Sequence, residues 1–236
     1  MSKPFHFKQF TIHQEKTAMK VGTDGVLLGA WIPVENEYSI LDIGTGTGLI
    51  ALMLAQRSDA EQIDALEIED AAYEQAVENF ENSDWSDRLF CYHASLKDFS
   101  DEMDEPYDLI VSNPPFYTDD YQSEDEKRSQ ARFETAVPFE VLIKYSSQLL
   151  SDKGHLALII PFKEEVKVVA IAKENKLFPE KITRVRGTFQ SAIKRSLILF
   201  SSAEKNPEID ELVIEISRHQ YTDEYKELVK DFYLKL

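Results

Sequence analysis

The sequence contains a single cysteine, Cys91, and therefore cannot form an internal disulfide. The stretch around it, RLFCYH, indicates a buried strand thiol. No apolar run is long enough to span a membrane, and the first ten residues, MSKPFHFKQF, lack the apolar centre of a signal peptide. The five histidines are scattered without the spacing of metal ligands, so no metal site is expected. These absences favour a cytoplasmic protein over a secreted or integral membrane protein.

Basic residues are also few. The chain carries 26 Lys and Arg residues against 43 Asp and Glu residues, a formal net charge of -17. Because a polyanion is repelled on average by such a chain, any nucleic-acid site must be a local basic patch.

Short apolar runs alternate with amphipathic stretches from Ser39 onward. The predicted strands are YSILDIG, IDALEI, RLFCYH, YDLIVSN, HLALIIP, KITRVRG and RSLILFSS. The predicted helices are LIALMLAQRS, DAAYEQAVENFENS, PFEVLIKYSSQLLSDKG and KEEVKVVAIAKENK. This order predicts an α/β fold, a Rossmann-like, doubly wound, mostly parallel seven-stranded sheet with helices on both faces.

No linker interrupts the chain, which predicts one domain over residues 1–236. Residues 1–38 are expected to form an N-terminal arm and covering segment, 39–202 the core, and 203–236 a C-terminal strand and helix. In the arm, residues 5–12 indicate a short strand pair. In the tail, Thr222 is positioned to cap the last helix.

A glycine-rich turn joins the first core strand to the first core helix. LDIGTGTGLIAL places Gly44, Gly46 and Gly48 there, and glycines allow a tight turn and the close approach of a ligand. A dinucleotide fingerprint would need glycine where Leu49 stands, and a phosphate-loop lysine is missing. Taken alone, the turn fits a ligand site and an ordinary strand-to-helix turn equally well.

Two further polar residues end neighbouring strands. Glu67 comes nineteen residues after Gly48, where doubly wound folds carry an acid that binds ribose hydroxyls. Asn113 directly follows the strand YDLIVS. Because ligands of open α/β sheets bind beyond the carboxyl ends of the strands, the glycine turn, Glu67 and Asn113 should border one crevice.

The segment Asn113-Pro114-Pro115-Phe116 predicts a rigid, carbonyl-rich corner. The Asn113 side-chain oxygen and the Pro114 carbonyl can each accept one N–H of an amino group, while Phe116 offers a face on which a flat base stacks. No strong base is needed if the amino nitrogen attacks a sulfonium methyl group, since catalysis is then mostly positioning. A lone tetrapeptide of this kind would more simply be a rigid turn.

Together, DIGTGTG, ALEIED and NPPF resemble the S-adenosylmethionine-dependent methyltransferases that modify amino groups. The segments FHFKQFTIHQEKTAMKVGTDGVLLGAW and YTDEYKELVKDFYL extend the resemblance to the bacterial tRNA1(Val) adenine-N6 methyltransferases. It then covers nearly the whole chain. It implies S-adenosylmethionine as cofactor, tRNA as partner, and methylation of the adenosine that follows the anticodon.

The resemblance also implies roles for individual residues. The residues expected around the cofactor are Lys20, Thr23, Asp24, Gly25, Asp42, Gly44, Gly46, Gly48, Glu67, Ser95, Leu96 and Asn113. Within this set, Asp42 and the glycines would line the methionine part, Glu67 the ribose, and Ser95 and Leu96 the adenine. Asn113, Pro114, Pro115 and Phe116 would form the catalytic corner that holds the target adenine. One departure is Phe133, which stands where such relatives would carry histidine.

Basic residues near the predicted crevice are candidates for binding RNA phosphates. They are Lys127, Arg128, Arg132, Arg184, Arg186, Lys194 and Arg195. In a chain this acidic, each of them could equally be an ordinary surface charge paired with a neighbouring acid.

Three other functions are compatible with parts of the pattern. A guanine-N2 rRNA methyltransferase can also carry NPPF, and a protein-glutamine N5 methyltransferase presents the same planar amino group to such a corner. The arm and tail argue against the first, and Phe116 with the short N-terminal segment argues against the second. A non-catalytic RNA-binding protein that retains the fold is opposed by the complete set of Asp42, glycines, Glu67 and Asn113.

Overall fold

The computed structural model describes residues 3–115 and 137–235. The strands are β1 (Phe5–His6), β2 (Thr11–Ile12), β3 (Ser39–Ile43), β4 (Gln62–Glu67), β5 (Leu89–His93), β6 (Tyr107–Ser112), β7 (Leu150–Pro161), β8 (Phe178–Thr188), β9 (Ile193–Ser201), β10 (Glu208–Ser217) and β11 (Gln220–Tyr221). The helices are α1 (Thr23–Trp31), α2 (Leu49–Arg57), α3 (Asp70–Glu81), α4 (Leu96–Glu102), α5 (Phe139–Leu149), α6 (Glu165–Glu174) and α7 (Asp223–Val229), with a 3-10 turn at Phe162–Glu164.

Strands β3 to β11 form one sheet in the order β11-β10-β8-β9-β7-β6-β3-β4-β5. Strands β4 and β5 lie parallel to β3 on one side, and β6 and β7 on the other, while β9 is antiparallel to both β7 and β8. The predicted doubly wound α/β fold is confirmed. The seven predicted strands are contiguous, and β10 and β11 extend the sheet beyond β8.

Side chains on the two faces of the sheet belong to separate apolar cores. Along β3, Ile40 packs into the core covered by α1, α2 and α7, whereas Leu41 packs into the core covered by α4, α5 and α6. The same alternation separates Val111 from Ile110 on β6. Because successive side chains of a strand point to opposite faces, continuous apolar strands require helices on both sides.

The predicted end of one helix is wrong. The helix expected to run to Gly154 ends at Leu149, and β7 starts at Leu150. Leu150 pairs with Tyr107 of β6, and the register shifts before His155. A Cβ at Gly154 would lie 2.7 Å from the Tyr107 carbonyl oxygen, so this glycine allows the two backbones to approach rather than ending a helix.

The two chain ends pack against each other. The predicted strand pair in the arm is present as β1 and β2, and Thr222 caps α7 by accepting a hydrogen bond from the Tyr225 amide. Phe7 forms an antiparallel bridge with Tyr233, and the Lys8 amide donates to the Phe232 carbonyl over 2.8 Å. The arm and the tail therefore form one layer beside α1. No helix in the described segments is long and apolar enough to cross a bilayer.

Candidate active site

The glycine turn, Glu67 and Asn113 lie at one edge of the sheet. They follow or end β3, β4 and β6, and β3 lies between the other two strands. The chain winds outward from β3 to β5 and then returns to β6, so the crevice between β3 and β6 is the topological switch point of the sheet. Open α/β sheets bind their ligands at this position.

The glycine turn presents an open backbone surface. Gly44, Gly46 and Gly48 all have positive φ angles, of 71°, 60° and 80°. A Cβ at Gly44 or Gly46 would meet no heavy atom within 4 Å, whereas at Gly48 it would lie 2.5 Å from the Phe80 ring. The first two glycines thus leave room for a ligand, and the third allows α3 to pack against the start of α2.

Glu67 is held rigidly by backbone donors. Its Oε2 accepts from the Gly46 amide at 2.9 Å, and its Oε1 accepts from the Ile68 and Glu69 amides at 2.8 and 3.0 Å. Because a carboxylate has about four lone-pair positions, acceptor capacity remains for a hydroxyl group. The carboxylate therefore both orients the glycine turn and can bind a ligand.

Asp42 is fully buried at the end of β3, with 0% of its surface exposed. The Thr45 hydroxyl donates to its Oδ2 at 2.6 Å, but its Oδ1 has no hydrogen-bond partner among the described residues. Burial raises the pKa of the Asp42 carboxyl to about 7, and the neighbouring charge of Glu67 acts in the same direction. Since buried polar atoms are normally paired, Oδ1 is a natural acceptor for a ligand N–H group.

The Asn113 corner lies on the other side of the switch point. The Ser112 hydroxyl donates to the Ile43 carbonyl at 2.8 Å and ties the end of β6 to the end of β3. Asn113 and Pro115 are half-buried, and Pro114 is buried. A Cβ on Gly25 would lie 3.9 Å from the Asn113 Nδ2 and 3.0 Å from Leu49, so the first turn of α1 covers the corner.

The other three predicted residues of the covering segment have partners of their own. The Lys20 ammonium group donates to the Thr17 carbonyl at 2.7 Å and to the Gln14 carbonyl, which closes the arm on itself. Thr23 begins α1, and Asp24 accepts from Arg195 Nε at 2.8 Å. The ion pair fixes the beginning of α1 to β9.

Ser95 and Leu96 follow β5, the edge strand next to β4. Ser95 caps α4, since its hydroxyl oxygen accepts from the Asp98 amide at 3.1 Å, and it donates to the Asp98 carboxylate at 2.6 Å. Leu96 is buried beneath the cap. Both residues lie on the β4 side of the crevice, beyond the paired positions Glu67 and His93.

Sequence reasoning did not identify Asn79 and Gln75. Asn79 is 1% exposed, and its amide group bonds the backbone N–H and C=O of His13 at 2.9 Å and the carbonyl of Thr47 at 2.8 Å. Gln75, fully buried one helical turn earlier, accepts from the Lys16 amide at 3.1 Å. The signal available in the sequence was the position of these two amide side chains on the apolar face of a helix. Their effect is to attach the arm to the glycine turn.

The described basic residues of the predicted RNA track are mostly paired. Arg184 donates to Glu165 at 2.7 Å, and Arg186 donates to Glu211 at 2.6 Å. Arg195 pairs with Asp24, and Lys194 is exposed beside it. Their role in RNA binding stays a prediction. The remaining predicted site residues, Phe116, Lys127, Arg128 and Arg132, lie outside the described residues, as does Phe133.

Neither metal nor thiol chemistry is supported by the described parts of the chain. Over residues 3–115 and 137–235, no three His, Cys, Asp or Glu side chains group as metal ligands. Cys91 is half-buried on β5, and burial raises the pKa of its thiol to about 12, so it is not a ready nucleophile.

Comparisons with known proteins agree with the fold. The family model of the methyltransferase small domain matches residues 17–174. A predicted O-methyltransferase from Agrobacterium tumefaciens has a similar fold, with a TM-score of 0.69 at 18% identity over 89% of this chain and 96% of that protein.

Much closer similarity is found to curated bacterial proteins. Relatives named tRNA1(Val) (adenine(37)-N6)-methyltransferase are 65% identical in Christiangramia forsetii, covering 100% of this chain and 99% of the relative, and 64% identical in Flavobacterium johnsoniae, covering 98% and 100%. A relative of the same name from Actinobacillus pleuropneumoniae is 42% identical over 100% of this chain and 99% of its own length. The chain therefore belongs to the methyltransferase small domain family and, within it, to the family of tRNA1(Val) (adenine(37)-N6)-methyltransferases.

Proposed function

We propose that the chain transfers a methyl group from S-adenosylmethionine to the N6 amino group of adenine 37 in tRNA1(Val). The observation that carries the proposal is the Asn113 corner beside an open glycine turn, in a chain that matches relatives of this name over its full length. The acceptor is an aromatic amine, whose nitrogen lone pair is delocalised into the ring. The corner must therefore orient this amine.

The residues around the glycine turn fit the cofactor. Gly44 and Gly46 leave the space that its methionine part needs, and the unpartnered Oδ1 of Asp42 can accept from its ammonium group. Glu67 retains acceptor capacity for a ribose hydroxyl. When bound, S-adenosylmethionine supplies a methyl group on a positively charged sulfur, which an amino nitrogen can attack directly.

Asn113 and Pro114 do most of the orienting work. The Asn113 side-chain oxygen and the Pro114 carbonyl accept the two N–H groups of the target amine, which draws electron density onto the nitrogen and turns its lone pair toward the glycine turn. Since the new N–C bond leaves the nitrogen positively charged, its proton becomes acidic and can pass to water. No basic side chain has to act before the attack.

The target adenine must leave any base stack to reach this corner. The beginning of α1 at Gly25 covers Asn113 on one side, so the base has to enter from the side where β6 continues into Pro115. We include in the proposal that residues 1–236 form one domain and that the enzyme acts in the cytoplasm. The packing of the arm against the tail supports the first of these points.

The experiment that tests the proposal uses labelled S-adenosylmethionine with unmodified total tRNA in one reaction and cell protein in another. Nucleosides and protein are then analysed separately. Label in N6-methyladenosine of tRNA is expected, and Asn113→Ala serves as the control that should remove it. Label in N2-methylguanosine, or in protein, would overturn the substrate assignment while leaving the cofactor assignment standing.

A further inference from the structure

An enzyme of this charge needs contacts to RNA that do not depend on bulk electrostatic attraction. The net charge is -17, and the three described arginines of the predicted RNA track are already paired with acids. Arginines that are neutralised in this way release few counterions from RNA and add little to its affinity. Stacking of bases on aromatic rings is the main alternative, because it does not need net positive charge.

A cleft of about 600 Å³ lies between the two chain ends. We call it the terminal cleft, and the side chains that matter for its chemistry are Phe5, Glu215, Tyr221, Tyr225, Tyr233 and Lys235. Most of its lining comes from β1, β10, β11, α7 and the tail, which all lie outside the seven predicted core strands. The added elements therefore build a concave surface as well as extending the sheet.

The lining combines aromatic rings with one acid and one base. The rings of Tyr221 and Tyr225 are 5.2 Å apart and inclined by 33°, and those of Phe5 and Tyr233 are 6.1 Å apart. Tyr221 is half-buried, so part of its ring faces the cleft, and Lys235 is exposed at the rim. Flat rings with a nearby ammonium group are suited to a nucleotide, whose base stacks and whose phosphate is anionic. The Glu215 carboxylate can accept an N–H from the edge of the base.

The terminal cleft is close to the Asn113 corner. Gly22 and Thr23 form its wall on the α1 side. Gly25, where an added Cβ would lie 3.9 Å from the Asn113 Nδ2, is only two residues further along the helix, a rise of about 3 Å. One side of the first turn of α1 therefore faces the cleft, and another side covers the catalytic corner.

We propose that the terminal cleft binds one unpaired base of the RNA substrate that flanks the target adenosine, stacked on Tyr221 with its phosphate near Lys235. The proposal rests on the proposed function, because it requires an RNA acceptor at Asn113. It assigns the arm and tail a part in substrate selection. Of the residues expected around the cofactor, Thr23 is the one that also lines the cleft.

The test measures methylation kinetics on an anticodon stem-loop RNA and on copies with an abasic nucleotide on either side of the target adenosine. For the wild type, the KM for one of the two abasic RNAs should be about five- to 150-fold higher than the KM for the intact RNA. This factor is the usual contribution of one base stacked on an aromatic ring. Tyr221→Leu should raise KM for the intact RNA by a similar factor and leave KM for S-adenosylmethionine unchanged. In this variant the KM for the same abasic RNA should be no higher than the KM for the intact RNA.

Three controls keep the result interpretable. Tyr221→Phe retains the ring and should behave like the wild type. Tyr38→Leu removes an exposed tyrosine that directly precedes β3, at the end of that strand opposite the glycine turn. Lys235→Gln does not disturb packing. It should reduce the slope of log K against log salt concentration by about 0.7, where K is the binding constant for the RNA, because one phosphate contact to single-stranded RNA is lost.

Two results would overturn the proposal. One is a wild-type enzyme that methylates both abasic RNAs as well as the intact stem-loop, whatever the variants do. The other is a Tyr221→Leu variant that still shows the full abasic penalty. A wild type that methylates neither tRNA nor any stem-loop would instead refute the proposed function itself.

Discussion

Asp42→Asn should make the protein without cofactor more stable, and more so at high pH. The carboxyl is fully buried with one unpaired oxygen, and its pKa rises from an ordinary value of 3.8 to about 7. Because the pKa of this acid is raised in the folded state, its contribution to the stability of the protein is fully present below about pH 4 and is lost as the pH rises to about 7. Above that value the folded state must contain a buried negative charge.

The magnitude follows from the size of the shift. One pKa unit corresponds to 1.36 kcal/mol, so the two units between about pH 5 and the folded pKa amount to about 3 kcal/mol. Asparagine has nearly the same shape and no charge. The difference in free energy of unfolding between variant and wild type should therefore be about 3 kcal/mol more favourable to the variant at about pH 8.5 than at about pH 5. In thermal unfolding this difference corresponds to about 6–12 °C for a chain of this size.

Urea unfolding at the two pH values measures this difference directly. Any effect of the amide on the Thr45 hydrogen bond is the same at both pH values and cancels in the comparison. Calorimetric titration of S-adenosylmethionine should show affinity about 10- to 150-fold lower, because a charge-assisted hydrogen bond is lost. Equal stability differences at both pH values, or a variant that becomes less stable at high pH, would refute the reasoning about this carboxyl.

Four further substitutions test three separate parts of the site. Asn113→Ala should abolish turnover yet change cofactor affinity, measured by calorimetry, less than about threefold; a large loss of affinity would mean that the corner is misassigned. Gly48→Ala should cost about 2–5 kcal/mol in urea unfolding through backbone strain and the clash with Phe80, whereas Gly46→Ala should cost only about 1–2 kcal/mol and weaken cofactor binding. Asn79→Ala should destabilise the protein by about 2–4 kcal/mol and speed hydrogen exchange in the arm; unchanged exchange would show that the arm is held by other contacts.

The pattern of the sequence was sufficient to predict the central sheet and the residues that meet at the carboxyl ends of its strands. Apolar runs of five or six residues separated by amphipathic stretches predict parallel strands with helices on both faces, and the structure confirms this architecture. The same rule brings the residues that follow these strands to one edge. The positions of the glycine turn, Glu67 and Asn113 could therefore be predicted without knowledge of any contact.

Local pattern was misleading where a backbone contact decides the conformation. The stretch that ends at Gly154 has the composition of a helix end, but its last five residues belong to β7. Leu150 pairs with Tyr107, the register shifts before His155, and Gly154 lets the Tyr107 carbonyl approach. The helix α4 was missed because its seven residues are too few to show a periodic pattern.

The chain's own pattern was enough to predict the order of the core strands, the open glycine turn and the residues at the strand ends, because these depend on neighbours in the chain. Which charged and amide side chains already have partners becomes visible only in the folded protein. Arg195 pairs with Asp24 across 171 positions, and Asn79 bonds His13 across 66. The terminal cleft likewise exists only because both chain ends fold onto one side of α1. Such contacts depend on how distant segments pack, and neither composition nor periodicity contains that information.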